Sequence, residues 1–203
     1  MRSENTSPVS REDALSSLAE IDRIMAQTRR TIAAGRSAPI FILWGVIWFV
    51  GYAQTQFFPD SARWSWIALD LVGIVGTIVL VRRSPAKTPH RGRAGLGWLV
   101  LFGYAVLWVN LLGPWEMIHR PEWAAYAPHM TRKITAYFAT IPMFGYVLIG
   151  LWLDRFFIWL GAVVTLATLV GYYFVPDYFY LWLAVTGGGS LIAGGVIIRK
   201  FWR

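Results

Sequence analysis

Asp70 is an acidic residue inside the apolar stretch 64–81. An ionisable side chain at that depth in lipid is costly, so it is expected to face other protein or water. At helical spacing its neighbours are Trp66, Gly73 and Thr77, which are bulky, small and polar in turn. Such a face is expected to pack inward, which makes Asp70 the first candidate for a functional group.

Further polar side chains share the half of the apolar stretches that is predicted to lie toward the outside. Together with Asp70 they could line a polar cavity suited to a small solute or to protons. In the alternative interpretation, Asp70 hydrogen-bonds Asn110 or a tyrosine and only fixes helix packing. The sequence leaves both open for this candidate polar site, formed by Asp70, Asn110, Gln54, Tyr137, Thr140 and Thr186.

Two other groups of residues predict local helix geometry. Pro142 removes one backbone hydrogen bond, so it predicts a kink and, with Gly145 nearby, a candidate hinge. The last apolar stretch carries small residues four apart, a spacing that lets helices approach closely or self-associate. An unwound segment that offers backbone groups to a substrate is the alternative. The candidate helix-packing residues are Gly187, Gly188, Ser190 and Gly194.

Motifs for catalysis are missing from the sequence. It contains no His-Glu-x-x-His, no P-loop and no Gly-x-Ser-x-Gly. It also has no cysteine, which excludes thiolate metal sites and disulfides. Glu116 and His119 form one Glu-x-x-His, which is too little to predict a metal centre. The sequence therefore predicts no catalytic residue, no cofactor and no metal site.

The elements that carry these residues are six long apolar stretches. A bilayer core of roughly 30 Å needs about 20 apolar residues as a helix, and backbone groups in lipid must be bonded within the segment. The predicted fold class is an all-α integral membrane protein, with six transmembrane helices in one bundle over residues 37–203. The predicted spans are 39–57, 64–81, 96–112, 134–152, 156–175 and 178–198.

The polar N-terminal region precedes the first span. Residues 1–9 are expected to form a disordered tail. Ser10 and Asp13 have the spacing of a helix N-terminal capping box, which predicts an amphipathic cytoplasmic helix over residues 10–36. Its apolar seam could lie on the membrane, pair with a second copy or a protein partner, or fold back on the cytoplasmic loops. The seam consists of Ala14, Leu18, Ile21, Met25, Thr28 and Ile32.

Lysine and arginine predict the orientation. The net charge is +8, and most of the basic residues fall on one side if the N-terminus is inside. Both termini are therefore expected in the cytoplasm, with the basic loops on an anionic inner leaflet and no nucleic acid as partner. That side carries Arg29, Arg30, Arg36, Arg82, Arg83, Lys87, Arg91, Arg93, Arg155, Arg199, Lys200 and Arg203, against Arg63, Arg120, Arg132 and Lys133 on the other.

The sequence thus predicts a multi-pass protein of a bacterial inner membrane whose first partner is the lipid bilayer. With no catalytic set, the leading function is a non-enzymatic interaction or regulatory protein, which forms a homo-oligomer or binds a protein through residues 10–36. The alternative is a small-solute or proton-coupled transporter or channel that uses Asp70 in the outer half of the membrane.

Overall fold

The computed structural model describes residues 11–34, 37–83, 91–113 and 118–201. The predicted tail 1–9 and the capping residue Ser10 lie outside these ranges. Within them the chain is helical and contains no strand. The helices are α1 Arg11–Ala34, α2 Ser37–Phe57, α3 Ala62–Arg82, α4 Arg91–Leu112, α5 Trp123–Trp152, α6 Arg155–Phe174, α7 Phe179–Leu183 and α8 Gly189–Phe201. Between α7 and α8, Ala184–Gly188 form a π-helical turn, so these three segments make one continuous span.

Six helical segments are long and apolar enough to cross a bilayer, which confirms the prediction of six such helices and fits a multi-pass membrane protein. Four of them are α2, α5, α6 and the sixth span, which comprises α7, the π turn and α8. The other two are α3 with the 3₁₀ turn Pro59–Ser61 before it, and the part of α4 from Gly95 to Leu112.

The bundle has a central group of four spans and two peripheral helices. The sixth span packs along α2 and also contacts α6, and α5 pairs with α6. The peripheral helices α3 and α4 pack mainly against α2 and α5, respectively. The most apolar window is 39% buried in α2 and 44% in the sixth span, but only 6% in each of α3 and α4. Both peripheral helices therefore present most of their surface outward.

Side chains of the central spans fill the main core. The core includes Phe41 and Tyr52 of α2, Met143 of α5, Val164 of α6 and Phe179 of α7. None of the fully buried residues in this cluster comes from α3 or α4 within the described ranges. Burial of these apolar side chains contributes to holding the central spans together.

Glycines bring α2 and the sixth span into close contact. A Cβ atom on Gly188 would lie 2.7 Å from the Phe49 nitrogen, and one on Gly45 would lie 2.7 Å from the Ile192 nitrogen. A Cβ on Gly195 would lie 2.8 Å from the Ala38 carbonyl oxygen. Only residues without a Cβ allow two backbones this close, and close backbone packing stabilises helix pairs in membranes.

Helix α5 is longer than its apolar stretch predicts. It begins at Trp123 rather than at 134 and continues through Pro128 and Pro142 to Trp152. Its 30 residues span about 45 Å at 1.5 Å per residue, more than a bilayer core. The apolar pattern marks the part of a helix that lies in lipid and carries no information on where the helix itself begins.

Candidate functional site

Asp70 lies on α3 at the edge of the contact with α2, and its side chain is exposed. The α2-facing side of α3 is built from its neighbours. The Trp66 indole nitrogen donates to the Thr55 hydroxyl at 3.0 Å, and the Thr77 hydroxyl accepts from the Trp44 indole at 3.0 Å. Asp70 therefore lies beside the inward face of its helix and not within it.

On the α2 side, the polar residue that interacts with Asp70 is the buried Tyr52. Its ring packs edge-on against Trp66, with centroids 4.9 Å apart. Its hydroxyl lies within electrostatic reach of Asp70 and of Tyr180 on α7. Asp70 consequently has a polar neighbour on its α2 side, whereas its opposite flank faces outward.

Three other residues of the candidate polar site have hydrogen bonds within their own helices. The Asn110 amide donates to the Val106 carbonyl of its own helix at 2.8 Å. The Thr140 and Thr186 hydroxyls donate to the carbonyls of Tyr137 and Trp182, also on their own helices. These bonds satisfy polar groups within a single helix, as Ser and Thr commonly do in membranes.

The six candidate residues are distributed over α2, α3, α4, α5 and the sixth span. Gln54 of α2 donates its amide hydrogens to Ser61 and Ser65 at the start of α3. Asp70 and Asn110 lie on α3 and α4, which pack mainly on different central helices. Thr140 lines an open groove of about 470 Å³ between α5 and α6, whose other walls are mostly apolar. The common polar cavity therefore stays a prediction.

Pro142 and Gly145 lie within the uninterrupted helix α5, and both are buried. Gly145 makes room for α4, because a Cβ there would lie 3.0 Å from Leu101 and 3.2 Å from the Trp98 ring. Trp98 in turn packs edge-on against Tyr146, with centroids 5.4 Å apart. The observed role of Gly145 is to seat α4, and the hinge stays a prediction.

The small residues of the sixth span lie where it packs against α2 and α6. Gly187 and Gly188 lie in the π turn and are buried against Trp48 and Phe49 of α2. Gly194 is also buried, with Phe156 and Leu160 of α6 3.5 Å from a Cβ placed on it. These glycine surfaces are used inside the bundle. Ser190 is half-buried on α8.

Sequence reasoning missed two polar side chains that connect helices. Gln56 donates to the Asp177 carbonyl at 2.9 Å and accepts from the Leu181 nitrogen at 3.4 Å, which ties the end of α2 to the start of α7. Arg132 of α5 contacts the Pro176 carbonyl oxygen and the His129 ring, each at 3.4 Å. The only sequence signal was the His129–Arg132 spacing, which places both on one helix face.

Among the described residues, no group of three or more His, Cys, Asp or Glu side chains could hold a metal ion. Glu116 lies outside the described ranges. No known protein family, curated protein or solved structure matches the chain.

Proposed function

We propose that this is a non-enzymatic inner-membrane protein that acts by associating with other protein chains. The observation that carries the proposal is an exposed carboxylate, Asp70, on the peripheral helix α3. Intramembrane acids almost always face protein or water, because lipid solvates them poorly. An acid on the outward flank of a span is therefore best explained by a second protein surface that covers it.

The proposed partner at this surface is a second copy of the chain. In a two-fold dimer each Asp70 faces its symmetry mate at the same depth, whatever that depth is. Two carboxyl groups that share a proton can hydrogen-bond across the axis. The residues one turn away on the same flank, Ile67 and Ile74, are 47% and 50% exposed and supply apolar contact area.

Cysteine crosslinking tests this arrangement, and the natural chain contains no cysteine that would interfere. We expect Ile67→Cys and Ile74→Cys to form disulfide-linked dimers under mild oxidation in membranes. Leu166→Cys on α6, 63% exposed, is the matched control and should stay monomeric. Asp70→Leu in the Ile74→Cys protein should lower the dimer yield about fivefold, as expected for an interhelical hydrogen bond of about 1 kcal/mol.

Asp70→Asn keeps hydrogen-bonding capacity and should retain most of the dimer. Equal crosslinking at Leu166→Cys would indicate random collision and contradict the dimer. The absence of crosslinks at both α3 positions would also contradict it.

The cytoplasmic helix is the second proposed association element. Leu15, Leu18, Ile21 and Ile24 of α1 are each more than half exposed. Among the described helices α1 has its main contact with α2, the next helix along the chain. Its exposed apolar side chains support docking by a protein partner over folding back on the bundle.

The proposed orientation places both termini in the cytoplasm of a bacterial cell. The support is the unequal distribution of Lys and Arg between the two ends of the spans. Arg82 and Arg199 end two spans at the end proposed to be cytoplasmic. The transport alternative has less support, because the hydroxyl groups of Thr140 and Thr186 donate within their own helices rather than toward Asp70.

A further inference from the structure

Arg132 has an unusual set of partners for a charged side chain. A guanidinium group has five N–H donors and no acceptor. Two of its nitrogens approach neutral acceptors, the Pro176 carbonyl and His129 Nδ1, at the long distance of 3.4 Å. The third, Nε, is buried and has no hydrogen-bond partner among the described residues. A buried donor without a partner is unfavourable, and both terminal nitrogens have only distant acceptors, so the described protein groups bond this guanidinium incompletely.

The position of the guanidinium is fixed by three elements. It lies over the ring of Tyr172 near the end of α6, with its central carbon 5.4 Å from the ring centroid. Tyr172 is held edge-on by the fully buried Phe179 of α7, with centroids 6.0 Å apart. The connecting segment between α6 and α7 supplies the Pro176 carbonyl. The charge is therefore held in place by aromatic packing.

Further groups that can donate to an anion surround this charge. His129 precedes Arg132 by three residues on α5, and its second ring nitrogen is available to carry a proton when Nδ1 accepts from Arg132. Tyr180 of α7 lies within electrostatic reach of Arg132, and its hydroxyl interacts with the Thr135 side chain. The guanidinium and imidazole thus lie together on α5, with the phenol of Tyr180 on α7 within electrostatic reach.

The depth of this cluster matches a lipid headgroup. Arg132 precedes the apolar stretch that begins at 134, on the part of α5 that extends beyond a bilayer core. The Pro176 carbonyl contacts Arg132 directly, so the turn before α7 lies at the same end of the bundle. A phosphate at the surface of that leaflet would lie level with the guanidinium.

We propose that Arg132, His129 and Tyr180 bind a phosphate group at this end of the bundle. The planar fork of arginine matches phosphate oxygens, and charge-assisted bonds of this kind are the strong ones. Phosphate oxygens would accept from the terminal N–H groups of the guanidinium, whose present acceptors lie at the long distance of 3.4 Å. The phosphate belongs to a phospholipid headgroup or is free in solution, and the experiment distinguishes these two sources.

The experiment uses the full chain in detergent with two probes, phosphatidylglycerol and inorganic phosphate. Lipid retention is measured by native mass spectrometry and phosphate binding by the thermal unfolding temperature. Arg132→Gln should reduce binding of the phosphate-bearing probe about tenfold, the loss expected for a charge-assisted bond. Arg132→Lys should restore only part of it, because an ammonium group lacks the fork.

Arg63→Gln is the matched control. Arg63 also lies near an aromatic ring, with its central carbon 5.8 Å from the Trp64 centroid, but its side chain is exposed. The substitution Arg63→Gln removes the same charge and should leave binding of both probes unchanged. His129→Ala and Tyr180→Phe should each weaken binding while the protein still unfolds cooperatively, which provides a test if Arg132→Gln fails to fold.

Each outcome decides the proposal. Retention of phosphatidylglycerol that depends on Arg132 supports a lipid phosphate, and stabilisation by inorganic phosphate alone supports a free one. Equal binding by wild type and Arg132→Gln overturns the site. Equal loss with Arg63→Gln shows a general charge effect and also overturns it.

Discussion

Two adjacent glycines in the sixth span have opposite surroundings. A Cβ on Gly188 would approach the Phe49 nitrogen at 2.7 Å and the Gly45 carbonyl at 2.8 Å. Around Gly189 nothing lies within 4 Å of such an atom, and its backbone is helical. One methyl group should therefore have opposite effects at neighbouring positions.

We expect Gly188→Ala to lower the free energy of unfolding by about 1–3 kcal/mol, because α2 must move away to admit the methyl group. Gly189→Ala should raise it by about 0.5–1 kcal/mol, since alanine loses less conformational freedom in a helix. Unfolding in detergent, followed by tryptophan fluorescence, measures both. A similar effect at the two positions would contradict the close contact between α2 and the sixth span.

The tryptophan side chains fall into two groups, one exposed and one hydrogen-bonded to other helices. Trp64, Trp152 and Trp159 are 70%, 88% and 69% exposed, as expected for interfacial aromatic residues. Trp44, Trp66 and Trp182 instead donate indole hydrogen bonds to other helices. An indole ring near the end of a span can fill either role, and only the direction of the side chain decides between them.

At the scale of elements, α1 differs from the six spans because its described side chains are all exposed. The helix has acidic residues in its first turn, Glu12 and Asp13, which interact favourably with the helix dipole. Its stability nevertheless has little support from tertiary packing. In proteins most helical stability comes from packing of an apolar face, so docking is expected to stabilise α1.

Deletion of residues 1–34 should leave the unfolding temperature of the bundle unchanged. It should also remove chemical crosslinks to other proteins on the side proposed to be cytoplasmic. Leu18→Glu with Ile21→Glu should have the same effect, because charges on the apolar seam disrupt docking. Ser16→Glu, on the opposite face of α1 from Leu18 and Ile21, is the control. Crosslinks that persist after the deletion would show that α1 is not the docking element. A lower unfolding temperature would show that α1 packs on the bundle.

At the scale of the whole molecule, the six spans give an even number of membrane crossings. If all six insert, the start of the first span and the end of the sixth span therefore lie on the same side of the membrane. The basic residues then decide which side that is, because Lys and Arg near span ends are retained in the cytoplasm.

Topology reporters test this orientation. Fusions at Lys87 and Arg203 should report a cytoplasmic location, and a fusion at Trp123 should report the periplasm. A cytoplasmic signal at Trp123 would invert or break the proposed topology. Replacing Arg82 and Arg83 by Gln gives a sensitised protein, in which mixed signals are expected because the charge difference is smaller.

Apolarity and length determined the six helices from the sequence alone, since a lipid-exposed backbone must be bonded within its own segment. The sequence also predicted the sixth span and the glycines in it that allow close packing. The helix bounds were less predictable, because α5 extends beyond its apolar part to Trp123.

Which helix neighbours which was decided only by the tertiary structure. In lipid an apolar surface gains little from burial, so hydropathy does not distinguish the central α2 from the peripheral α3 and α4. That choice rests on small-residue contacts such as Gly45 with Gly188, and on bonds such as Trp66 with Thr55. For the same reason the sequence could mark Asp70 as unusual but could not place it at an outward flank. Nor could the sequence reveal Arg132, whose significance comes from Tyr172 and Pro176, forty or more residues away along the chain.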